Sequence, residues 1–146
     1  MNTNEITVQL TSLSGEAGFA DKSEDLVDSW MSDDVGIEAV DPILRFIENN
    51  PQIDYGMPGA LVHFVERFYR QGYEQLLVDS IRRRPTPHTT WMLNRLINAT
   101  KAVDTRRDYI HELERARTRS PLDDATMERI NHFLNRLAAE SSTSGE

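Results

Sequence analysis

From Ser23 to Leu137 the apolar residues recur every three or four positions. One face of an α-helix returns at that interval, whereas a strand face returns at every second residue. Leu26, Val27, Trp30 and Met31 form the first stripe, and Ile43, Leu44, Phe46 and Ile47 the second. Leu61, Phe64, Val65 and Phe68 follow, then Tyr73, Leu76, Leu77 and Ile81. Three more stripes complete the chain: Met92 to Ile97, Tyr109 to Ala116, and Ile130 to Leu137. No segment alternates at period two. The spacing predicts an all-α protein of about seven helices in antiparallel pairs, either a HEAT-like helical repeat or an irregular bundle.

The punctuation agrees. Asp41-Pro42, Thr86-Pro87 and Ser120-Pro121 each place an oxygen-bearing side chain before a proline. An N-cap accepts a backbone N–H, and proline at the first helical position loses no hydrogen bond. Asn50-Pro51 and Gly72 read as helix stops, because Asn and Gly accept the left-handed conformation. The cap-proline pairs lie 45 and 34 residues apart, a rhythm that suits two-helix repeats. Residues 58–70 carry apolar side chains over a wide arc, including Val62 and Tyr69, as expected of a central helix.

With 146 residues the chain has room for one core. The expected organisation is a flexible arm or short strand over residues 1–20, one helical domain over 21–140 and a disordered tail over 141–146. The first twenty residues lack a basic start followed by a continuous apolar run, so a cytoplasmic location is the expectation. No cysteine is present, which removes thiol catalysis, disulfide scaffolds and cysteine-ligated zinc.

Charge is unevenly distributed. Residues 1–57 hold 12 acids and two bases, Lys22 and Arg45, whereas residues 58–146 hold 12 acids and 14 bases. The net charge of −8 opposes direct contact with nucleic acid or an anionic membrane. The densest acids are Asp33, Asp34, Glu38 and Asp41, with Asp21, Glu24, Asp25 and Asp28 upstream. Three readings fit them: a solvated face, a surface for a basic partner, or a divalent-cation site.

Candidate chemistry is sparse. His63 and Glu66 sit one helical turn apart, but a metal site needs three or four ligands, so a partly buried structural pair is the plainer reading and no metal or cofactor is expected. His88 fits a helix start, and Arg82, Arg83 and Arg84 fit a helix end whose negative dipole they complement. No nucleophile elbow, phosphate loop or dinucleotide fingerprint occurs, so no enzymatic activity is expected. Trp30, Phe46 and Tyr69 fit either a core or an interface.

Two stretches, DYGMPGALVHFVE at 54–66 and RPTPHTTWMLNRLIN at 84–98, carry a family likeness. Over roughly residues 36–140 the chain resembles the small α-helical, HEAT-like immunity proteins encoded beside bacterial polymorphic toxins, including those of contact-dependent growth inhibition. That resemblance implies a cytoplasmic protein that binds the C-terminal toxin domain of a cognate effector, one to one, and blocks it. Many such toxins are basic nucleases, which an acidic surface would steer and match. Caps and apolar stripes account for the two stretches themselves as framework. The contact surface is therefore expected on the acidic side, led by Asp33, Asp34, Glu38, Asp54 and Tyr55. The competing reading is a helical-repeat adaptor that holds a peptide.

Overall fold

The computed structural model describes residues 2–119 and 121–144, and these contain helices and no strand. The α-helices are α1 (Thr3–Leu13), α2 (Phe19–Ser32), α3 (Val40–Asn49), α4 (Ala60–Glu66), α5 (Tyr73–Arg83), α6 (Pro87–Ala99), α7 (Val103–Arg117) and α8 (Asp124–Ser144). A 3-10 turn over Ile37–Ala39 leads into α3. Among the described residues no helix is long and apolar enough to cross a membrane. Where one domain over 21–140 is expected, backbone contacts divide the chain into two compact units, Met1–Leu77 and Val78–Glu146.

In the first unit, α1 packs on α2 and α3, and α2 packs on α4. The segment expected as a loose arm or strand is thus a packed helix. The Asn2 side chain accepts the Glu5 N–H at 2.9 Å, and Ile6 and Leu10 are fully buried one turn apart. The α2 stripe buries Phe19, Ser23, Val27 and Trp30. Of the aromatic residues left open between core and interface, Trp30 and Phe46 are core and Tyr69 is half-buried. In α3 only Arg45 and Asn49 are exposed and Asp41 is half-buried, so this helix is enclosed on more sides than its sequence suggests. In α4, Leu61, Val62, Phe64 and Val65 are buried, which agrees with the wide apolar arc expected there.

Helices α2, α3, α4 and α7 begin without a side-chain cap, and two helix ends depart from expectation. Asp41 does not cap α3: the 3-10 turn starts the helix earlier, and the Asp41 carboxylate instead accepts from Arg45 Nε at 2.8 Å, one turn on. Gly72 does not end α4, which stops at Glu66. Gly72, at φ 119°, precedes α5 instead. Asn50 ends α3 at the expected place but at φ −135°, not in the left-handed conformation, and its side-chain N–H donates to the Phe46 carbonyl at 3.0 Å.

The second unit holds α6, α7 and α8, each packed on the other two. Its core is Met92, Leu93, Leu96 and Ile97 from α6, Leu113 and Ala116 from α7, and Ile130, Phe133 and Leu137 from α8. Thr86 and Pro87 start α6 as expected, and the cap is reciprocal. Thr86 Oγ1 accepts the Thr89 N–H at 3.1 Å, and Thr89 Oγ1 accepts the Thr86 N–H at 3.2 Å. The cap expected at Ser120 lies outside the described residues, while the Asp123 carboxylate accepts the Thr126 N–H at 2.8 Å at the start of α8. The backbone of α8 is helical to Ser144, which replaces most of the expected tail; Gly145 and Glu146 lie outside the described residues.

Arg82 does more than complement a helix end. Its guanidinium donates to the buried Glu112 carboxylate of α7 in a fork, Nη2 to Oε1 at 2.6 Å and Nε to Oε2 at 3.2 Å. Such a planar match joins the end of α5 to α7 with a directional charge pair.

Candidate functional site

The two units differ in charge. Residues 1–77 carry 14 acids and four bases, a net of −10, and residues 78–146 carry 10 acids and 12 bases, a net of +2. The acid excess is concentrated on α2 and the loop after it. Asp21, Glu24, Asp25 and Asp28 are all exposed, and their i, i+3, i+4, i+7 spacing makes one stripe opposite the buried one. Within it, Asp21 with Asp25 and Glu24 with Asp28 are like-charge pairs at i, i+4, each unfavourable by about 0.2–0.5 kcal/mol. None of the four has an ion-pair partner among the described residues.

Asp33 and Asp34 extend the stripe at the point where acids suit the helix least. Asp33 is the C-cap of α2, and the last turn of that helix holds no base. A carboxylate there faces the negative end of the dipole, a contribution of about 0.3–1 kcal/mol against folding. Asp34 follows at φ 56°, a left-handed conformation that Asp tolerates better than most residues. Both side chains are exposed. Local stability does not explain the acid at 33, whereas the left-handed conformation at 34 suits Asp.

Glu38 is exposed too, but its carboxylate is partly engaged. It folds back to accept the Gly36 N–H at 3.0 Å, and that bond holds its pKa below the usual carboxylate value. Asp54 is exposed and accepts the Gly56 N–H at 3.0 Å, fixing the turn before α4.

Tyr55 does not belong to the surface. It is 2% exposed, its hydroxyl donates to the Asn50 carbonyl at 2.6 Å, and its ring meets Phe19 edge-on at 5.4 Å between centroids. Phe46 completes the cluster, stacked on Phe19 at 5.8 Å. The loop is shaped to bury this tyrosine. Gly59, at φ 87°, lies so close to the Tyr55 carbonyl that a Cβ would overlap it, so the chain doubles back tightly behind the ring. Tyr55 is therefore a core residue packed against the start of α2 and against α3.

Burial pushes the Tyr55 phenol well above its ordinary pKa of about 10. The folded state holds this proton more tightly than the unfolded state. The contribution is complete below the unfolded pKa and is lost as pH rises from there through the folded pKa. Tyr55→Phe is expected to lower stability by about 1 kcal/mol at pH 7 through loss of the hydrogen bond. It should also flatten the alkaline decline, so that urea midpoints of the two proteins run parallel up to about pH 10 and converge above it. Parallel declines would contradict this assignment.

Other side chains singled out in the sequence lie away from the acidic stripe or make only loose contacts. His63 is exposed, with Nδ1 4.0 Å from Glu66 Oε1, a loose pair on the surface of α4. His88 is half-buried in the first turn of α6 with its ring 5.4 Å from that of Trp91, and Arg95 lies over the other end of this row, 5.2 Å from the Trp91 centroid. Among the described residues no three His, Asp or Glu side chains gather at metal-ligating distance.

Comparison with family models, curated proteins and solved structures finds no match to this chain.

Proposed function

We propose that the protein is an immunity protein, a binding protein without turnover that neutralises a basic toxin domain in the cytoplasm of the cell that makes it. The observation that carries this reading is the placement of charge. Acids are stacked in one exposed stripe on α2 and continued at its C-terminus, where their mutual repulsion and the helix dipole both oppose folding. A basic partner converts that unfavourable local field into binding free energy. Opposed charges also accelerate encounter, by up to about three orders of magnitude at low salt. Asp33, Asp34, Glu38 and Asp54 are exposed and available to such a partner, whereas Tyr55 is not.

Co-expression with the toxic domain encoded by the adjacent upstream gene tests this reading. The expected result is a stable one-to-one complex on gel filtration together with restored growth. If the two proteins elute separately and growth is not restored, immunity is wrong and a helical adaptor for a peptide becomes the better reading.

A further inference from the structure

Between α2 and α4, inside the first unit, lies an open groove of about 570 Å³. Its two walls are single helical strips. Glu24, Val27, Asp28 and Met31 line it from α2 at i, i+3, i+4, i+7. Ala60, His63, Phe64 and Arg67 line it from α4 and the turn that follows, at the same spacing. Each strip covers two helical turns, about 10 Å. The floor is apolar: Val27 and Phe64 close it from below, and Met31, 48% exposed, forms an apolar lip.

The two rims carry opposite charge. Glu24 and Asp28 stand exposed on the α2 side and belong to the acidic stripe. On the α4 side the Arg67 guanidinium lies over the Phe64 ring, 5.6 Å from its centroid, beside exposed His63. Packed helices present such grooves to the ridge of a third helix, and an i, i+3/i+4, i+7 ridge has the matching period. An exposed methionine at the lip adapts its shape to the residue it meets.

We propose that this groove is the docking site for an amphipathic helix of the partner, whose apolar ridge enters over Val27 and Phe64 with a basic flank on α2 and an acidic flank on α4. Opposite rim charges fix which way round the helix lies, since the reversed arrangement brings like charges together on both sides. The proposal rests on the immunity reading for the identity of the partner. The chemistry of the groove does not depend on it.

The test uses the full chain labelled with 13C at its methionine methyl groups and two synthetic helical peptides. Both have a leucine ridge; one has a lysine flank and a glutamate flank, and the other has glutamine on both. The expected result is saturable binding of the charged peptide with a shift of the Met31 methyl signal, and about tenfold weaker binding of the glutamine peptide. The double variant Glu24→Lys/Asp28→Lys should weaken the charged peptide at least tenfold. It leaves the core untouched, because both side chains are exposed, and its circular dichroism should match the parent. Met31→Ala should weaken both peptides alike. An unmoved Met31 signal at saturating peptide, or equal affinity for parent and double variant, overturns the proposal. Complex formation and growth rescue by the toxin domain with no effect of the double variant would overturn the groove and spare immunity; peptide binding without any toxin complex would do the reverse.

Discussion

If the proposed immunity function holds, lysine at positions 33 and 34 is expected to slow association with the basic partner domain about 10- to 100-fold and to abolish growth rescue, with the fold intact. The pair Asp33→Lys and Asp34→Lys changes the net charge from −8 to about −4 at the place where the acidic stripe of α2 ends. The loss should fall on the association rate, because exposed charges act mainly through the long-range field that orients the encounter. It should shrink as salt rises, since the screening length falls from about 10 Å at 0.1 M to about 3 Å at 1 M. Stability has an opposing sign. A lysine at the α2 C-cap faces a favourable dipole, contributing about 0.3–1 kcal/mol, whereas a lysine at φ 56° loses the tolerance of Asp for that conformation, so the two effects roughly offset. Stopped-flow association at two salt concentrations, beside urea denaturation, separates these effects. An unchanged association rate at low salt would remove Asp33 and Asp34 from the interface.

Trp30→Ala is expected to destabilise the first unit by about 3–5 kcal/mol, a large part of the stability of a domain of this size. Trp30 is fully buried, its ring centroid is 5.4 Å from that of Phe64 on α4, and its indole N–H donates to Gln9 Oε1 on α1 at 2.7 Å. One side chain thus ties α2 to both neighbours, and truncation leaves a cavity that three helices would have to move to fill. Trp30→Phe keeps most of the volume and loses the hydrogen bond, so about 1–2 kcal/mol is expected for it. Urea unfolding followed by circular dichroism measures both, while Trp91 in the other unit reports separately by fluorescence. A loss below about 1.5 kcal/mol for Trp30→Ala would mean that the ring is not the packing centre of its unit.

Helix identity was legible from local pattern wherever four or more apolar residues kept the 3.6-residue period, and Thr86-Pro87 and Asn50 marked their ends because cap chemistry acts over three or four residues. The acidic stripe was legible for the same reason, being a matter of spacing and charge. Helix α1 escaped because only Ile6 and Leu10 are buried on it, too short a stripe to stand out among polar neighbours; its stability comes from α2 and α3, which no local window contains. The start of α3 shifted from Asp41 because a preceding 3-10 turn already supplied the helical geometry.

Tyr55 marks the clearest division between sequence and structure. Beside Asp54 and before a glycine-proline turn it has the composition of a surface loop, and only the folded chain brings Phe19 and Phe46 against its ring and the Asn50 carbonyl to its hydroxyl. The opposed rims of the α2–α4 groove were equally invisible, since Glu24 and Arg67 are far apart in the chain. The sequence by itself determined the helices other than α1, the Thr86 cap of α6 and the acid excess of the first unit, because each depends on neighbours within one or two turns. The tertiary structure decided which aromatic rings are core, that the contacts close around two units, and which charges face each other, because those depend on contacts between residues distant in the chain.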